Sequence, residues 1–438
     1  MTINDHSKTQ GQLADQKRLR KVTIAGGLGL FVEFYDYGIY GFLAATISTV
    51  FFPGKGSTAA LLMTYGIFAL TFFMRPLGGL FFGSLADKIG RRAVLVTTLT
   101  LMTGATTAIG LLPTYETIGL GAPALLLCMR LLQGLSAGGE VASAMSFVGE
   151  HAPNNRRGFM MSWTQFGSFS ALLTGILFAV TLNSSLSTAA MQSWGWRVPF
   201  LIAAPFGLIG YYIRVKLQDT PNFTRLRETD TVAAHPIREV LSTRKSLFRI
   251  ALAVGLPTLN SSGYYILFAY MPVYLSRELH FTQTQGLTVT GCALVAILLS
   301  IPAAAALSDR VGRKPVLLVS ALGLAALAYP GFQLMTLGSV PAAILGAVMM
   351  AVLFAGHTSI IHAVLVELFP TRVRNTAYSI GFNLCTAVFG GAAPLVMTAL
   401  ISSTRDVAIP AYYVIGTAIV TAGCALALRE TSRKALQD

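Results

Sequence analysis

The sequence predicts an all-α integral membrane protein whose twelve transmembrane helices form two parallel six-helix repeats. Three observations carry that expectation. Only 11% of the 438 residues are charged and 54% are hydrophobic, where an ordinary globular chain carries about 25% charged residues. Apolar runs of about the length needed to cross roughly 30 Å of hydrocarbon recur along the whole chain. A charged motif near the end of the second run reappears 222 residues later in the equivalent place.

Composition already removes several classes. A mean hydropathy of +0.64 leaves too little polar surface to solvate a globule of this size, and disordered, collagen-like and disulfide-stapled chains are excluded by the same figures. The net charge of +14 would suggest nucleic acid in a soluble protein, but the basic residues lie in short segments between apolar runs. That placement is what membrane orientation requires, so lipid bilayer rather than nucleic acid is the expected partner. Cys128, Cys292, Cys385 and Cys424 all fall inside apolar runs and read as small buried hydrophobes, not as disulfide or metal partners. No metal and no cofactor is expected.

The spans are expected near residues 22–50, 59–82, 93–113, 122–146, 159–182, 198–217, 249–275, 286–307, 315–337, 341–366, 376–402 and 410–428. The first run is too long for the apolar core of a cleavable signal, about 7–15 residues, and reads as a membrane span. The longest polar interruption follows the sixth run. The expected organisation is therefore a tail over 1–21, a six-helix bundle over 22–217, a central loop over 218–248, a second bundle over 249–428 and a tail over 429–438. Of the 32 Lys and Arg residues, 26 fall on the side of the N-terminus and central loop. Both termini and the central loop are accordingly expected in the cytoplasm.

The repeat is Gly83-Ser-Leu-Ala-Asp87-Lys-Ile-Gly90-Arg91-Arg92 against Ala305-Ala-Leu-Ser-Asp309-Arg-Val-Gly312-Arg313-Lys314. Asp87 and Asp309 sit near helix ends, where a carboxylate can accept N–H groups of a helix N-terminus and pair with Arg91 or Arg313. Gly90 and Gly312 permit a tight turn. Such a cluster could latch the two halves in one state and break in the other, or be a static turn.

Ionisable groups inside spans are the sharpest signal, because a charge at the bilayer centre costs about 2.5–3.5 kcal/mol even on the lenient insertion scale. Glu33 lies roughly 17 Å into the first span at helical rise, and Asp36, Tyr37 and Tyr40 share its face. Two carboxyls one turn apart in a low dielectric resist ionising together, which is what a proton-coupling site needs. Arg75 in the second span and Arg130 in the fourth can bind a substrate carboxylate or hold Glu33 and Asp36 ionised as structural pairs. Gln133 and Glu140 lie one above the other on the fourth span. Glu33, Asp36 and Glu140 are thus the candidates for proton coupling. Tyr37, Tyr40, Arg75, Arg130 and Gln133 are candidates for substrate, joined by Tyr265, His357 and Asn383 further along the chain. His357 and His362, five residues apart, make a poor metal pair. Gly390, Gly391 and Pro394 mark the eleventh span as deformable. Gly54-Lys55-Gly56-Ser57 is not a phosphate-binding loop, so no ATPase is indicated and energy must come from an ion gradient.

Several motifs resemble one family. Glu33-Phe-Tyr-Asp36-Tyr-Gly38-Ile-Tyr40-Gly41, Arg75-Pro-Leu-Gly-Gly, Arg130-Leu-Leu-Gln-Gly and Trp194-Gly-Trp-Arg197-Val-Pro199-Phe200 look like the metabolite:proton symporters of the major facilitator superfamily. Within it, Arg157-Gly-Phe-Met-Met-Ser-Trp163, Asp219-Thr-Pro-Asn-Phe223, Tyr270-Met-Pro-Val-Tyr-Leu-Ser-Arg-Glu-Leu-His280 and Glu430-Thr-Ser-Arg-Lys-Ala-Leu436 are most similar to the bacterial proline/betaine osmolyte transporters. The resemblance covers almost the whole chain. It implies the major facilitator fold in a bacterial inner membrane, no enzyme activity, and proton-coupled import of a zwitterionic osmolyte by alternating access, by a chain functional as a monomer. Glu33, Asp36, Arg75, Arg130 and Glu140 would take the coupling and binding roles. Citrate and α-ketoglutarate carriers share most of these motifs, so organic acid symport is the alternative. Drug/proton antiport fits less well, because a charged cavity penalises apolar cargo.

Overall fold

With no water in the hydrocarbon core, a spanning chain must satisfy its backbone polar groups internally, and this chain does so with helices throughout. The computed structural model describes residues 3–437, with side chains from residue 19 onward apart from residue 57, and no strand occurs among the described residues. The first span is Ile3–Phe42, extended after a break at Leu43 by Ala44–Phe51. Ser57–Ile89, Arg91–Leu111, Gly121–His151, Arg157–Ser185 and Arg197–Val215 are the second to sixth. Two short helices, Pro221–Glu228 and Pro236–Leu241, occupy the polar interruption.

The second half repeats the pattern with more irregular helices. Its first member is Arg244–Gly255, Thr258–Tyr264, a π turn at Tyr265–Ala269 and Met271–Arg277. Gln283–Val311, Arg313–Thr336 and Val340–Thr358 continuing as Ile361–Leu368 follow as the eighth to tenth. The eleventh is Arg374–Cys385, a π turn at Thr386–Gly391 and Ala393–Thr404, so the glycine-rich stretch does deform the helix. Ile409–Ala427 is the twelfth.

Nine helices among the described residues are long and apolar enough to cross a membrane. The first, fourth and seventh spans are not among them. Glu33 and Asp36 lie in the first, Arg130, Gln133 and Glu140 in the fourth, and Pro257, Asn260, Ser261 and Ser262 in the seventh. The N-terminal segment is helical and continuous with the first span, Ile3–Phe42; Met1, Thr2 and Asp438 lie outside the described residues. One expectation needs correcting. Of the four cysteines only Cys385 is buried, and Cys128 is exposed on the helical surface, where a lipid-facing side chain meets no penalty for being apolar.

Close helix approach positions the site. A Cβ on Gly78 would stand 1.9 Å from the Leu135 carbonyl oxygen, and one on Gly138 2.2 Å from that of Arg75. Without side chains there, the second and fourth spans touch backbone to backbone. That contact brings Arg75 and Arg130 to the same level as the carboxylates of the first span.

Candidate functional site: buried ion pairs, a central cavity and a charge seam

At the middle of the first span, Glu33 and Asp36 point to different helices. Glu33 accepts a hydrogen bond from Arg75 of the second span. Asp36 accepts from Arg130 at 2.7 Å and from Gln133 Nε2 at 2.9 Å, both on the fourth. All four charged side chains are buried. Tyr40 lies flat beneath Arg130, 3.8 Å from guanidinium carbon to ring centroid, and its hydroxyl donates to the Thr64 carbonyl. Tyr37 and Phe72 flank Arg75, each at 5.2 Å. Gln133 also donates to Thr106 Oγ1 at 2.8 Å, so Asp36 is tied through it to the third span.

A small cavity adjoins the Glu33–Arg75 pair on the axis between the halves. Its wall is Phe34, Arg75 and Gln165 from the first half, with Asn260, Ser261, Tyr264, Tyr265, His362, Phe382 and Thr386 from the second. Only about 10 Å³ is open, room for about one water, so the walls must part for any larger solute. Aromatic rings close it: Phe34 meets Tyr264 at 4.9 Å, Phe72 meets Tyr265 at 5.0 Å, and His362 meets Phe382 at 5.1 Å between centroids. Polar atoms of the wall without a hydrogen-bond partner among the described residues include Asn260 Oδ1 and the Tyr264 hydroxyl, and Glu33 Oε2 behind the wall has none either.

The candidate residues therefore separate by place. Arg75 and Tyr265 line the cavity. Arg130, Gln133, Tyr37 and Tyr40 pack behind it around the two acids. Glu140 lies toward the charged end of the molecule, paired with Arg214 and bonded by Thr98 Oγ1 at 2.5 Å. Asn383 donates to the Gly138 carbonyl at 2.6 Å and joins the eleventh span to the fourth. His357 packs near Phe354, away from the cavity, with neither ring nitrogen partnered among the described residues. The histidine on the cavity wall is His362, hydrogen-bonded to Tyr378. Sequence depth favoured His357; the break after Thr358 turns the helix and reverses the order.

At one end of the molecule the repeated turns form a charge seam. Asp87 accepts from the backbone N–H groups of Asn375 and Thr376 at 3.3 and 2.9 Å, capping the eleventh span. Asp309 accepts from those of Gly158 and Phe159 at 3.0 and 2.8 Å, capping the fifth. Each aspartate also meets the arginine one turn on, Arg91 at 3.5 Å and Arg313 at 2.7 Å. Gly83 faces Ser379 and Asn375 of the other half, 2.9 Å from Ser379 Oγ to an added Cβ. Gly90 and Gly312 have φ of 108° and 109°, open to glycine alone at low cost.

Six further residues complete this seam and were not anticipated. Arg157 pairs with Glu367 at 3.1 Å, and Arg374 with Glu150 at 2.6 Å, each arginine crossing to the opposite half. Arg91 also reaches Glu150 at 3.4 Å and Arg313 reaches Glu367 at 3.3 Å. A sequence signal existed: Glu150-x-x-Pro153-x-x-x-Arg157 recurs as Glu367-x-x-Pro370-x-x-x-Arg374. Asp219 and Glu430 add a matching pair of caps. Asp219 accepts from Arg91 N at 3.2 Å, and Glu430 from Arg313 N at 2.9 Å and Lys314 N at 3.1 Å. An added Cβ on Gly90 or Gly312 would strike these carboxylates, at 2.0 and 2.6 Å.

Two six-helix repeats, a buried charged site on the axis between them and paired ion clusters across one end define a membrane transporter of the major facilitator type. The chain belongs to the sugar (and other) transporter family, whose description matches residues 22–235 and again 225–438. It is 37% identical over 435 residues to the glycine betaine/proline/ectoine/pipecolic acid transporter OusA of Dickeya dadantii, covering 97% of this chain and 86% of that protein. It is 36% identical over 434 residues to the proline/betaine transporter of Escherichia coli, with the same coverage. To the ectoine/proline transporter ProP of Corynebacterium glutamicum it is 34% identical over 434 residues, 96% of this chain and 86% of that one. Among solved structures, the proton:xylose symporter XylE bound to 6-bromo-6-deoxy-D-glucose superposes with a TM-score of 0.82 over 96% of this chain and 98% of its own, at 18% identity. The inward open conformation of XylE gives 0.68 at 17% identity, over 95% and 98% of the two chains. The relatives are transporters, and the protein is a transporter of a small molecule rather than an enzyme.

Proposed function

We propose that the protein is a proton-coupled symporter that imports a zwitterionic osmolyte of the proline or glycine betaine kind by alternating access. The observation that carries this is the cavity wall, where the single Arg–Glu pair Glu33–Arg75 stands beside the rings of Phe34, Tyr264, Tyr265 and Phe382. The names of the curated relatives support the same substrate class.

Coupling follows from competition for one guanidinium. Removing one partner of a buried ion pair costs about 3–5 kcal/mol, because the other charge is left uncompensated. When Glu33 takes a proton, Arg75 loses its counter-charge and a substrate carboxylate can replace it. The substrate's ammonium then faces the aromatic rings, where a cation is attracted by about 0.5–2 kcal/mol. Proton and zwitterion thus favour each other's binding, because protonation of Glu33 frees the Arg75 guanidinium for the substrate carboxylate. Arg130 is held by Asp36 and Tyr40, so Arg75 is the carboxylate-binding arginine in this scheme and Asp36–Arg130 its rigid support.

The same reasoning ranks the organic acids second. A di- or tricarboxylate would bring two or three negative charges to a wall with one arginine, and His362 would have to be protonated to help. The arrangement proposed for the cell is an inner-membrane monomer of two bundles, 22–217 and 249–428, with both termini and the charge seam in the cytoplasm. In it, the seam of Asp87, Asp309 and their partners holds the cytoplasmic end shut and breaks when the site opens inward. Proteoliposomes under an imposed inward proton gradient provide the test. Accumulation of labelled glycine betaine or proline, abolished by a protonophore, is the expected result; accumulation of citrate or α-ketoglutarate alone overturns the substrate assignment.

A further inference from the structure

We propose, on the reading of the protein as a transporter of zwitterions, that the end of the molecule opposite the seam carries an outer site for the same solute. In it Lys55 of the first half and Arg277 of the second hold the solute carboxylate before it reaches Arg75. The site is a cavity of about 700 Å³ between the first, second, seventh and eighth spans, against about 10 Å³ open at the central one. Both cavities are built on the same two helices. On the first span Gly41 lines the outer cavity and Phe34 the central one; on the seventh Pro272 lines the outer and Tyr265 the central. Each pair is seven residues apart, roughly 10 Å at helical rise. Between the cavities Gly41 approaches the Ala269 carbonyl oxygen, 3.9 Å from an added Cβ. The partition there is a contact of small residues across the halves, which parts when the first and seventh spans separate.

Charge at this end is sparse and placed. Four basic residues stand there, Lys55, Arg197, Arg277 and Arg405, and two of them line this one cavity. Arg197 is spent on the carbonyls of Gly110 and Leu112, at 3.1 and 2.6 Å. Lys55 and Arg277 each precede the second span of their half, 222 residues apart, the offset of the repeated turn. No Asp or Glu lines the cavity, and among the described residues neither cation is hydrogen-bonded or ion-paired, Arg277 to its neighbour Glu278 included. Two unneutralised cations facing one recess concentrate anions in it, and a guanidinium can hold a carboxylate through two N–H groups. The rest of the wall suits the other end of a zwitterion. The hydroxyls of Ser48, Thr49 and Ser276 donate within their own helices, at 2.7, 2.8 and 2.9 Å, which leaves oxygen lone pairs to accept. The rings of Phe42 and Phe52 line the cavity as well, and a ring face attracts an ammonium. A solute that is only a cation meets the two basic groups at the mouth and is repelled.

The test is cysteine labelling of the full-length protein in detergent. Ser276→Cys, in a background lacking the four native cysteines, is treated with a sulfonate-bearing and a trimethylammonium-bearing methanethiosulfonate. The sulfonate reagent is expected to react about tenfold faster, relative to the ratio of the two on free cysteine. Lys55→Gln/Arg277→Gln should cut that preference to about twofold or less, and Lys55→Arg/Arg277→Lys should keep it. Thr49→Cys, on the first-half wall, gives the same ordering should Ser276→Cys fail to fold. Glycine betaine or proline should slow the sulfonate reaction about threefold or more, and sucrose at the same concentration should not. That protection should persist in Arg75→Ala, which removes the central carboxylate site, and vanish in Lys55→Gln/Arg277→Gln. Equal reaction of the two reagents, or uptake of zwitterions by proteoliposomes with no protection by them, overturns the outer site and leaves the transport reading standing. Uptake of citrate, with protection by citrate alone, overturns the zwitterion reading and supports a carboxylate site at Lys55 and Arg277.

Discussion

Asp87 and Thr376 are joined twice across the halves, the carboxylate accepting from the threonine backbone N–H at 2.9 Å and from its hydroxyl at 2.8 Å. A carboxylate at a helix N-terminus gains from both the free N–H groups and the helix dipole. This contact, with its counterpart at Asp309, makes the seam a pair of helix caps and not only a set of ion pairs. Asp87→Asn should weaken it by about 1–2 kcal/mol while leaving the turn intact. A cysteine at Ser379, in a background lacking the four native cysteines, should then react several-fold faster with an impermeant thiol reagent from the cytoplasmic side. Unchanged labelling would show that the cap does not hold the seam.

Glu33→Gln keeps the shape of the acid and removes its charge. Proton-driven accumulation should fall to the equilibrium level, while counterflow between loaded vesicles continues. Accumulation against a gradient in this variant would remove Glu33 from the coupling scheme.

The two histidines provide a separate check on which side chains reach the cavity. His362→Ala should raise KM several-fold, since it alters the wall beside Phe382. His357→Ala should leave KM within about twofold and act only through packing, where loss of a large buried side chain costs about 2–4 kcal/mol. Both effects are measured by initial uptake rates and thermal unfolding of the purified variants. The reverse ranking in KM would contradict the geometry.

Gly138→Ala should destabilise the first half by about 1–3 kcal/mol, because its Cβ would meet backbone at Arg75 O, 2.2 Å, and Gly79 N, 2.6 Å. Gly104→Ala is the control. Nothing lies within 4 Å of a Cβ there, and replacing a helical glycine in open space should stabilise by roughly 0.5–1 kcal/mol. Thermal unfolding in detergent separates the two.

Glu430, outside the spans, offers a pH test. Burial pushes its pKa up, but the N–H groups of Arg313, Ser432 and Lys314 outweigh this and hold the carboxyl below its usual value of 4.5. A carboxylate depressed in the folded state contributes stability that is complete above the unfolded pKa and lost as pH falls through the folded one. The thermal stability difference between the wild type and Glu430→Gln should therefore be constant from pH 7 to about 5 and close as pH drops below about 4. A gap that persists at pH 3 would mean that the contribution does not come from the ionised carboxyl.

The primary sequence determined what depends on local chemistry. The helical class, the two repeats and the irregularity at Gly390 and Gly391 follow from apolar runs, an offset motif and glycine content, each readable along one strand of residues. It also exposed Glu33, Asp36, Arg75 and Arg130, because an ionisable group in an apolar span is costly wherever it points. Tertiary structure alone decided their partners. Glu33 and Asp36 share a face of one helix, yet the close crossing at Gly78 and Gly138 gives one to Arg75 and the other to Arg130, and only the first pair adjoins the cavity. Helices buried on all sides carry no amphipathic stripe to reveal direction, which is why depth along the sequence favoured His357 while the folded chain puts His362 on the cavity wall. The cross-pairing of Arg157 with Glu367 and Arg374 with Glu150 has the same origin: each partner lies on the opposite half, more than two hundred residues away, and proximity of that kind exists only in the folded molecule.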